Sequence, residues 1–225
     1  MLNMSYLRYV KIVGTVHVSS ESVNEVRRII LEEDPDAIAL ELDYERLLSL
    51  LSGSNLTFSQ AMKLGKMGIL AYILQEVEII LGKELGTPPG SEMIEAFEVA
   101  KTLGIPVYMI DQPIRVTLRK LLSIPLGEKI RAMLDIISTF INPGAQTQLS
   151  FEDVEGLSFE FRRKYPTMYK ILVEERNLYM ARNIMRIVDI LLERKKKVKV
   201  VAVVGLGHKK GIEKILSRSF PKGVH

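Results

Sequence analysis

Four short apolar runs, rich in β-branched residues, alternate along the chain with longer segments that have helical periodicity. The four runs are Tyr6–Val13, Ala37–Leu42, Val107–Ile110 and Val198–Val204. Continuous apolar runs of this length are typical of parallel strands that helices cover on both faces. The helical segment between the first two runs makes a βαβ unit, whose crossover is expected to be right-handed. The pattern therefore predicts an α/β fold with a mainly parallel central sheet of at least four strands and helices on both faces.

The remaining segments are mainly helical in pattern. Helices are expected over residues 19–32, from Asp43 onward, and over 91–103, 115–141 with a break at 125–127, 167–197 and 211–220. Residues 145–165 have a mixed pattern. No stretch has the composition of a domain linker, which predicts a single domain over residues 1–225. Helical insertions at about 53–86 and 113–195 are expected to form a layer or cap on the α/β core.

Composition narrows the possible partners and sites. The absence of cysteine excludes disulfides and thiolate metal sites. The basic run at 194–197 is interpreted as a solvated helix end, because no aromatic-rich basic stripe accompanies it, and no nucleic-acid partner is predicted. The lack of Cys and Trp beside abundant Lys and Glu is typical of proteins from thermophiles.

The most apolar stretch, Met67 to Leu81, carries Gln75, Glu76 and Glu78 and is too short and too charged to span a bilayer. Since no signal peptide is evident either, we expect a cytoplasmic protein or the soluble domain of a membrane-associated one. Assembly as a homo-oligomer is left open.

Two similar motifs lie near opposite ends of the chain: Gly14-Thr15-Val16-His17 and Gly205-Leu206-Gly207-His208. Each follows an apolar run and precedes a helical segment, and together they use two of the three histidines. The carboxyl ends of parallel strands share one edge of the sheet, where open α/β folds bind their ligands. We therefore expect both imidazoles at that edge.

Carboxylates end two further strands: Glu41 interrupts the second run near its end, and Asp111 follows the third run. A buried carboxylate is costly unless it is paired or binds a metal, so Arg46, Arg115, a histidine or a cation should compensate Glu41. Two imidazoles and one or two carboxylates are the ligand set of a catalytic Zn²⁺, Mn²⁺ or Co²⁺ ion. The predicted metal ligands, which are also the predicted catalytic residues, are therefore His17, Glu41 and His208.

The long helix contains Glu175, Arg176 and Asn177 beside its apolar stripe. Either they form a solvated helix start, or one of them points into the site and orients its ligands or substrate. The glycines of the second motif resemble a dinucleotide loop, but too few residues come after them for that fold, so only a simple anion at the helix N-terminus stays open.

Taken together, these motifs resemble the TraB/PrgY family, which includes pheromone shutdown proteins and is related to Tiki metalloproteases, erythromycin esterases and haem-binding ChaN proteins. The resemblance spans nearly the whole chain and rests on Gly14–Ser19, on Pro35-Asp36 leading to Glu41-Leu42-Asp43 and Arg46, on Glu175–Asn177, and on Val203–His208. It implies an α/β core with helical insertions and a site built from His17, Glu41 and His208, supported by Arg176 and Asn177.

Two departures from the family pattern matter. Relatives often have Asp-Arg after the third strand, whereas this chain has Asp111-Gln112, which puts an arginine role there in doubt unless Arg115 substitutes. Many prokaryotic members also carry C-terminal membrane helices, and this chain ends without them.

The leading hypothesis is a divalent-metal-dependent hydrolase that acts on peptide or amide bonds, as in a metalloprotease. One alternative is a non-catalytic module that sequesters a peptide or small ligand at the same edge. Another is a haem- or anion-binding protein. Arg46, Asp111, Arg115, Glu175, Arg176 and Asn177 are predicted to bind substrate or orient the ligands.

Overall fold

Four parallel strands form one sheet in the computed structural model, which describes residues 5–15, 20–85, 90–141 and 154–221. In chain order the strands are β1 (Val10–Thr15), β2 (Ala37–Leu40), β3 (Val107–Met109) and β4 (Val200–Gly205). In space their order is β1-β4-β2-β3, so the last strand of the chain lies between the first two. Thr15 pairs with Gly205, and Leu40 pairs with both Val203 and Met109. The predicted parallel sheet is confirmed.

Helices surround this sheet. Within the described residues they are α1 (Ser20–Glu33), α2 (Tyr44–Ser52), α3 (Phe58–Lys63), α4 (Gly65–Leu85), α5 (Ser91–Leu103), α6 (Ile114–Leu122), α7 (Leu126–Ile141), α8 (Val154–Lys164), α9 (Pro166–Tyr169), α10 (Glu175–Leu192) and α11 (Leu206–Ser217). A 3₁₀ turn, Tyr6–Tyr9, precedes β1, and a π-helical turn, Lys170–Glu174, joins α9 to α10.

The two faces of the sheet bury two separate apolar cores, as expected for strands without an exposed face. Alternate residues such as Ala39 and Ala202 face α10 and α11. Their neighbours, such as Leu40 and Val203, face α1, α2 and α5. Because every residue of β2 and β4 is buried, these two strands form the rigid centre of the molecule.

Several boundaries differ from the sequence-based prediction. Residues 6–9 form a 3₁₀ turn rather than the start of a strand, because Tyr6 turns inward and its hydroxyl donates to Asp189 at 2.8 Å. The last strand begins at Val200, not at residue 198. The last helix begins at Leu206 rather than at residue 211, which places His208 in its first turn.

Helices α3 and α4 lie within the predicted insertion at 53–86, and α6 to α10 lie within that at 113–195, although α10 packs directly against the sheet as part of the core. Gly65 adopts φ 66°, a left-handed conformation that favours glycine, and turns α3 into α4 as a short hairpin. A third small core links α4, α6 and the π-helical turn through Leu121, Ile124 and Ile171. Within the described part of the chain, no helix is both long and apolar enough to cross a membrane.

Candidate functional site

Three neighbouring strands each deliver one side chain to the carboxyl edge of the sheet. Glu41 directly follows β2, Asp111 comes two residues after β3, and His208 lies in the first turn of α11 after β4. The exposed fractions of these side chains are 4%, 12% and 10%, respectively. This edge of the sheet therefore holds ionisable groups that water barely reaches.

Arg176, from the start of α10, joins these groups. Its Nε and Nη2 donate to Asp111 Oδ1 and Oδ2 at 3.0 and 2.7 Å, and Nη2 also donates to Glu41 Oε1 at 2.6 Å. Nη1 donates to the Leu172 carbonyl at 3.3 Å and lies 3.2 Å from His208 Nε2. These five contacts use the five N–H groups of a guanidinium, so Arg176 has no N–H left to donate outside the cluster.

The electrostatics favour a permanent charge on Arg176. Burial, the largest single effect, disfavours the charged guanidinium, but the attraction of Glu41 and Asp111 outweighs it and holds the pKa of Arg176 above its ordinary value. Bidentate pairing with Asp111 adds geometric precision that a lysine could not supply. Arg176 thus acts as a fixed internal cation.

Glu41 connects this cluster to the sheet itself. Its backbone N–H donates to the Val203 carbonyl at 3.0 Å, and its Oε2 accepts the backbone N–H of Gly205 at 2.6 Å. Glu41 and Asp111 bring two negative charges and Arg176 brings one positive charge. With a neutral His208, these four side chains carry a net charge of −1 and favour a further cation.

The contacts of His208 assign its tautomer. Nδ1 lies 2.7 Å from Asn177 Oδ1, a carbonyl oxygen that can only accept, so Nδ1 carries the proton. Nε2 faces Nη1 of Arg176, which can only donate, so Nε2 presents its lone pair. Nε2 also lies 3.3 Å from Glu41 Oε1, which can accept a hydrogen bond from Nε2 if His208 becomes charged.

The π-helical turn Lys170–Glu174 ends directly before the residues that enter the site. A π turn inserts an extra residue into a helix and rotates the residues after it, and such turns are frequent at functional sites. Here both Arg176 and Asn177 reach the cluster, although they are adjacent in sequence. The sequence analysis noted these polar residues, but nothing in the pattern indicates a π turn.

Asp43, which the sequence analysis noted only as a helix start and as part of the family motif, is a buried carboxylate that connects the surrounding loops. Its Oδ1 caps α2 by accepting the Arg46 N–H at 2.8 Å, and its Oδ2 accepts the Ile114 N–H at 2.7 Å. Asp43 thereby ties the loop after β2 to the loop after β3, which carries Asp111. An Asp before a helix is a recognisable capping signal, but its second partner is distant in sequence and gives none.

The remaining predicted residues lie at the margin of the cluster or away from it. His17 lies outside the described residues. Arg46 contributes its backbone N–H to Asp43, while Arg115 forms a surface pair with Glu45 at 3.1 Å and is 71% exposed. Glu175 pairs with Lys120 at 2.6 Å on α6. Among the described residues, the arginine that compensates Glu41 is therefore Arg176 and not Arg115.

The predicted metal can be tested against the donors at this edge. Oε1 of Glu41 and Nε2 of His208 are 3.3 Å apart, close to the roughly 3.4 Å between two ligands of a tetrahedral ion with bonds of about 2.1 Å. Asn177 orients His208 as carbonyl partners orient metal-bound imidazoles. The described residues contain no group of three or more His, Asp or Glu side chains arranged to hold an ion. The donors fit as two ligands, both of which contact Arg176.

Comparison with known proteins shows to which family the chain belongs. The model of the TraB/PrgY/gumN family matches residues 7–224, nearly the whole chain. The chain belongs to this family. The resemblance noted from the motifs is thereby confirmed, and the four clustered residues Glu41, Asp111, Arg176 and His208 lie within the matched range.

Similar relatives come from distant organisms. An uncharacterized protein of Methanocaldococcus jannaschii, MJ1365, is 31% identical over 92% of this chain and 53% of its own length. The TraB domain-containing proteins of Homo sapiens and Bos taurus are 29% and 28% identical, each over 91% of this chain and 62% of their own length. The chain thus spans between about half and two thirds of the relatives it matches.

Proposed function

We propose that the carboxyl edge of this sheet is the catalytic centre of a hydrolase that acts on peptide or amide bonds. The supporting observation is the convergence of Glu41, Asp111, Arg176 and His208 from distant segments into one water-poor cluster with a net negative charge. Burying such groups costs several kcal/mol each before pairing, a cost that catalysis at this edge would explain.

His208 and Glu41 are the proposed proton-handling pair. In a metal-free site, Asn177 would hold His208 with its lone pair on Nε2. Nε2 accepts an N–H of Arg176 in this structure, so it would take a proton from an attacking water only after Nη1 of Arg176 moves aside. Glu41 Oε1, 3.3 Å away, would stabilise the imidazolium that results. Arg176 and Asp111 would hold Glu41 in place, because the guanidinium has no N–H left for a substrate.

The leading form of the proposal instead includes a divalent metal ion, Mn²⁺, Co²⁺ or Zn²⁺, for which His17, Glu41 and His208 would be the ligands. In this form Nε2 of His208 would bind the metal and would not take the proton. A bound metal of this kind lowers the pKa of its water to about 7 and polarises a carbonyl oxygen. The net negative charge of the cluster supports this part of the proposal. The contacts of Arg176 with Glu41 and His208 oppose it, so metal binding would require Arg176 to shift.

A defined mixture of unmodified peptides, analysed by mass spectrometry after incubation with the purified protein, tests this function. Cleavage should rise with added Mn²⁺, Co²⁺ or Zn²⁺ and stop with a chelator. It should fall at least 100-fold in E41Q, H208Q and H17A. The control is K195M at the opposite edge of the sheet, which should cleave as the wild type does. Cleavage that persists in the H17A/H208A double variant would contradict the proposal.

A second candidate is a non-catalytic module that sequesters a peptide or small ligand. The saturated hydrogen bonds of Arg176 favour it, because a fully satisfied network is also what a purely structural cluster would show. The same peptide mixture separates the two candidates. A sequestering module would retain peptides in equilibrium dialysis without producing fragments, and chelators would not change the amount of peptide retained.

A further inference from the structure

Gly211 lies on α11, one turn beyond His208, and its α-carbon faces the Asn177 side chain. A Cβ at this position would come within 3.0 Å of Asn177 Cγ and closer still to Nδ2. Real Cβ atoms essentially never approach that closely, so any larger residue would displace the amide. Gly211 and Asn177 therefore fit together as a pair between α10 and α11.

The amide that Gly211 admits is the one that holds His208. Asn177 is 6% exposed, and its Oδ1 accepts from His208 Nδ1 at 2.7 Å. A displaced amide would leave the buried Nδ1 without this carbonyl, and the imidazole would lose the contact that fixes its proton on Nδ1. Arg176, held by two carboxylates, does not depend on Gly211.

We propose that Gly211 is a positioning residue, which acts through Asn177 to fix the Nδ1–H tautomer of His208 and to present Nε2 at the site. The catalytic meaning of this role rests on the proposed function, but the tautomer itself does not. Gly207, in the first turn of the same helix, provides a matched control. Among the described residues, no atom lies within 4 Å of a Cβ added there.

NMR of the full chain labelled with ¹⁵N-histidine tests this role without a substrate. The chain has three histidines, so the spectrum is simple, and H208Q assigns the signal of His208. We expect the wild type and G207A to show His208 as a fixed Nδ1–H tautomer with a protected proton. We expect G211A to lose the protected proton and to show a mixture of tautomers.

The double variant G211A/N177A separates positioning from general damage to the helix. Because N177A removes the amide that the added methyl group of G211A would strike, the double variant should unfold at a higher temperature than G211A, yet still lack the fixed tautomer. If G211A alone does not fold, the double variant should restore folding. The proposal is overturned if G211A keeps the fixed tautomer, or if the double variant is no more stable than G211A. Absence of peptide cleavage would count against the hydrolase and leave these spectra unaffected.

Discussion

The two edges of the sheet differ in how far their ion pairs are exposed to water. At the amino edge, Asp36 precedes β2 and pairs with Lys195 at 2.5 Å, and Glu33 pairs with Lys199 at 3.0 Å. The lysines there are 58% and 49% exposed. At the carboxyl edge, Arg176 is 19% exposed and Glu41 is 4% exposed. Ion pairs thus lie at both ends of the strands, but of these pairs only those at the carboxyl edge are largely buried.

This difference in exposure predicts a difference in how much each set of ion pairs contributes to stability. An exposed pair gains little, because water solvates each partner almost as well as the other partner does. A buried set must be complete, because any member left alone is an uncompensated charge in a poorly polarisable environment. The carboxyl edge therefore holds the charged groups whose loss is most costly, together with the proposed catalytic residues, while the amino edge can tolerate change.

The largest expected effect is at the centre of the buried cluster. R176M leaves Glu41 and Asp111 without their cation, and we expect a loss of about 3–5 kcal/mol in the free energy of unfolding. The matched control is R115M, which breaks the surface pair with Glu45 and should cost at most about 1 kcal/mol. Urea denaturation at pH 7 measures both values. Equal losses would remove the distinction between buried and exposed pairs.

The same variant sharpens the metal proposal. If Glu41 and His208 are ligands, R176M frees both from the guanidinium, and added Mn²⁺, Co²⁺ or Zn²⁺ should raise its unfolding temperature more than that of the wild type. R115M should respond to the metals as the wild type does. Identical responses of R176M and wild type would place the metal elsewhere or exclude it from these donors.

A smaller loss of stability is expected when the aspartates that accept backbone N–H groups at each edge are replaced. D43A leaves the N–H groups of Arg46 and Ile114 without their acceptor, and each lost cap costs about 1 kcal/mol, giving about 2 kcal/mol in total. D36A removes one backbone contact, to Lys199 at 2.9 Å, and an exposed pair, and should cost about 1 kcal/mol or less. Thermal unfolding of the two variants compares them. A larger loss in D36A would contradict the ranking.

The sequence predicted most of the sheet because its signals are local. Continuous apolar runs at β2 and β4 indicated buried parallel strands, and the carboxylate directly after β2 indicated a functional edge. Parallel strands bring their carboxyl ends together whatever the order of the strands, so Glu41, Asp111 and His208 could be grouped without knowing that β4 lies between β1 and β2. The order itself depends on long-range packing, which no local pattern encodes.

The details of the cluster depend on geometry that a linear pattern does not show. The π-helical turn changes the register of α10, so helical periodicity could not decide whether Arg176 faced inward or outward. Glu41 was expected to be compensated by Arg46, Arg115, a histidine or a cation, but the arginine that pairs with it is Arg176, 135 residues later, and His208 lies 3.3 Å away. The need for Gly211 appears only when α10 and α11 are packed together.

The smallest expected effect is a pH dependence at the amino edge. Partial burial would raise the pKa of Asp36, but hydrogen bonds from Lys195 and the Lys199 backbone, with the charges of both lysines, outweigh it and lower the pKa below its ordinary value. A carboxyl whose pKa is lower in the folded state contributes stability above its unfolded pKa, about 3.9, and loses that contribution as the pH falls through the folded value. We therefore expect the free energy of unfolding of the wild type to exceed that of D36N by less than about 1 kcal/mol at pH 6.

Urea denaturation of wild type and D36N between pH 6 and pH 3 measures this difference, which should shrink in the acidic part of the range. Because the partners are exposed lysines, it should also shrink when the salt concentration rises from about 0.1 M to 1 M. A difference that stays constant with both pH and salt would mean that the contribution of Asp36 does not depend on exposed charge pairs with the two lysines. The amino edge would then resemble the carboxyl edge more closely than its exposure suggests.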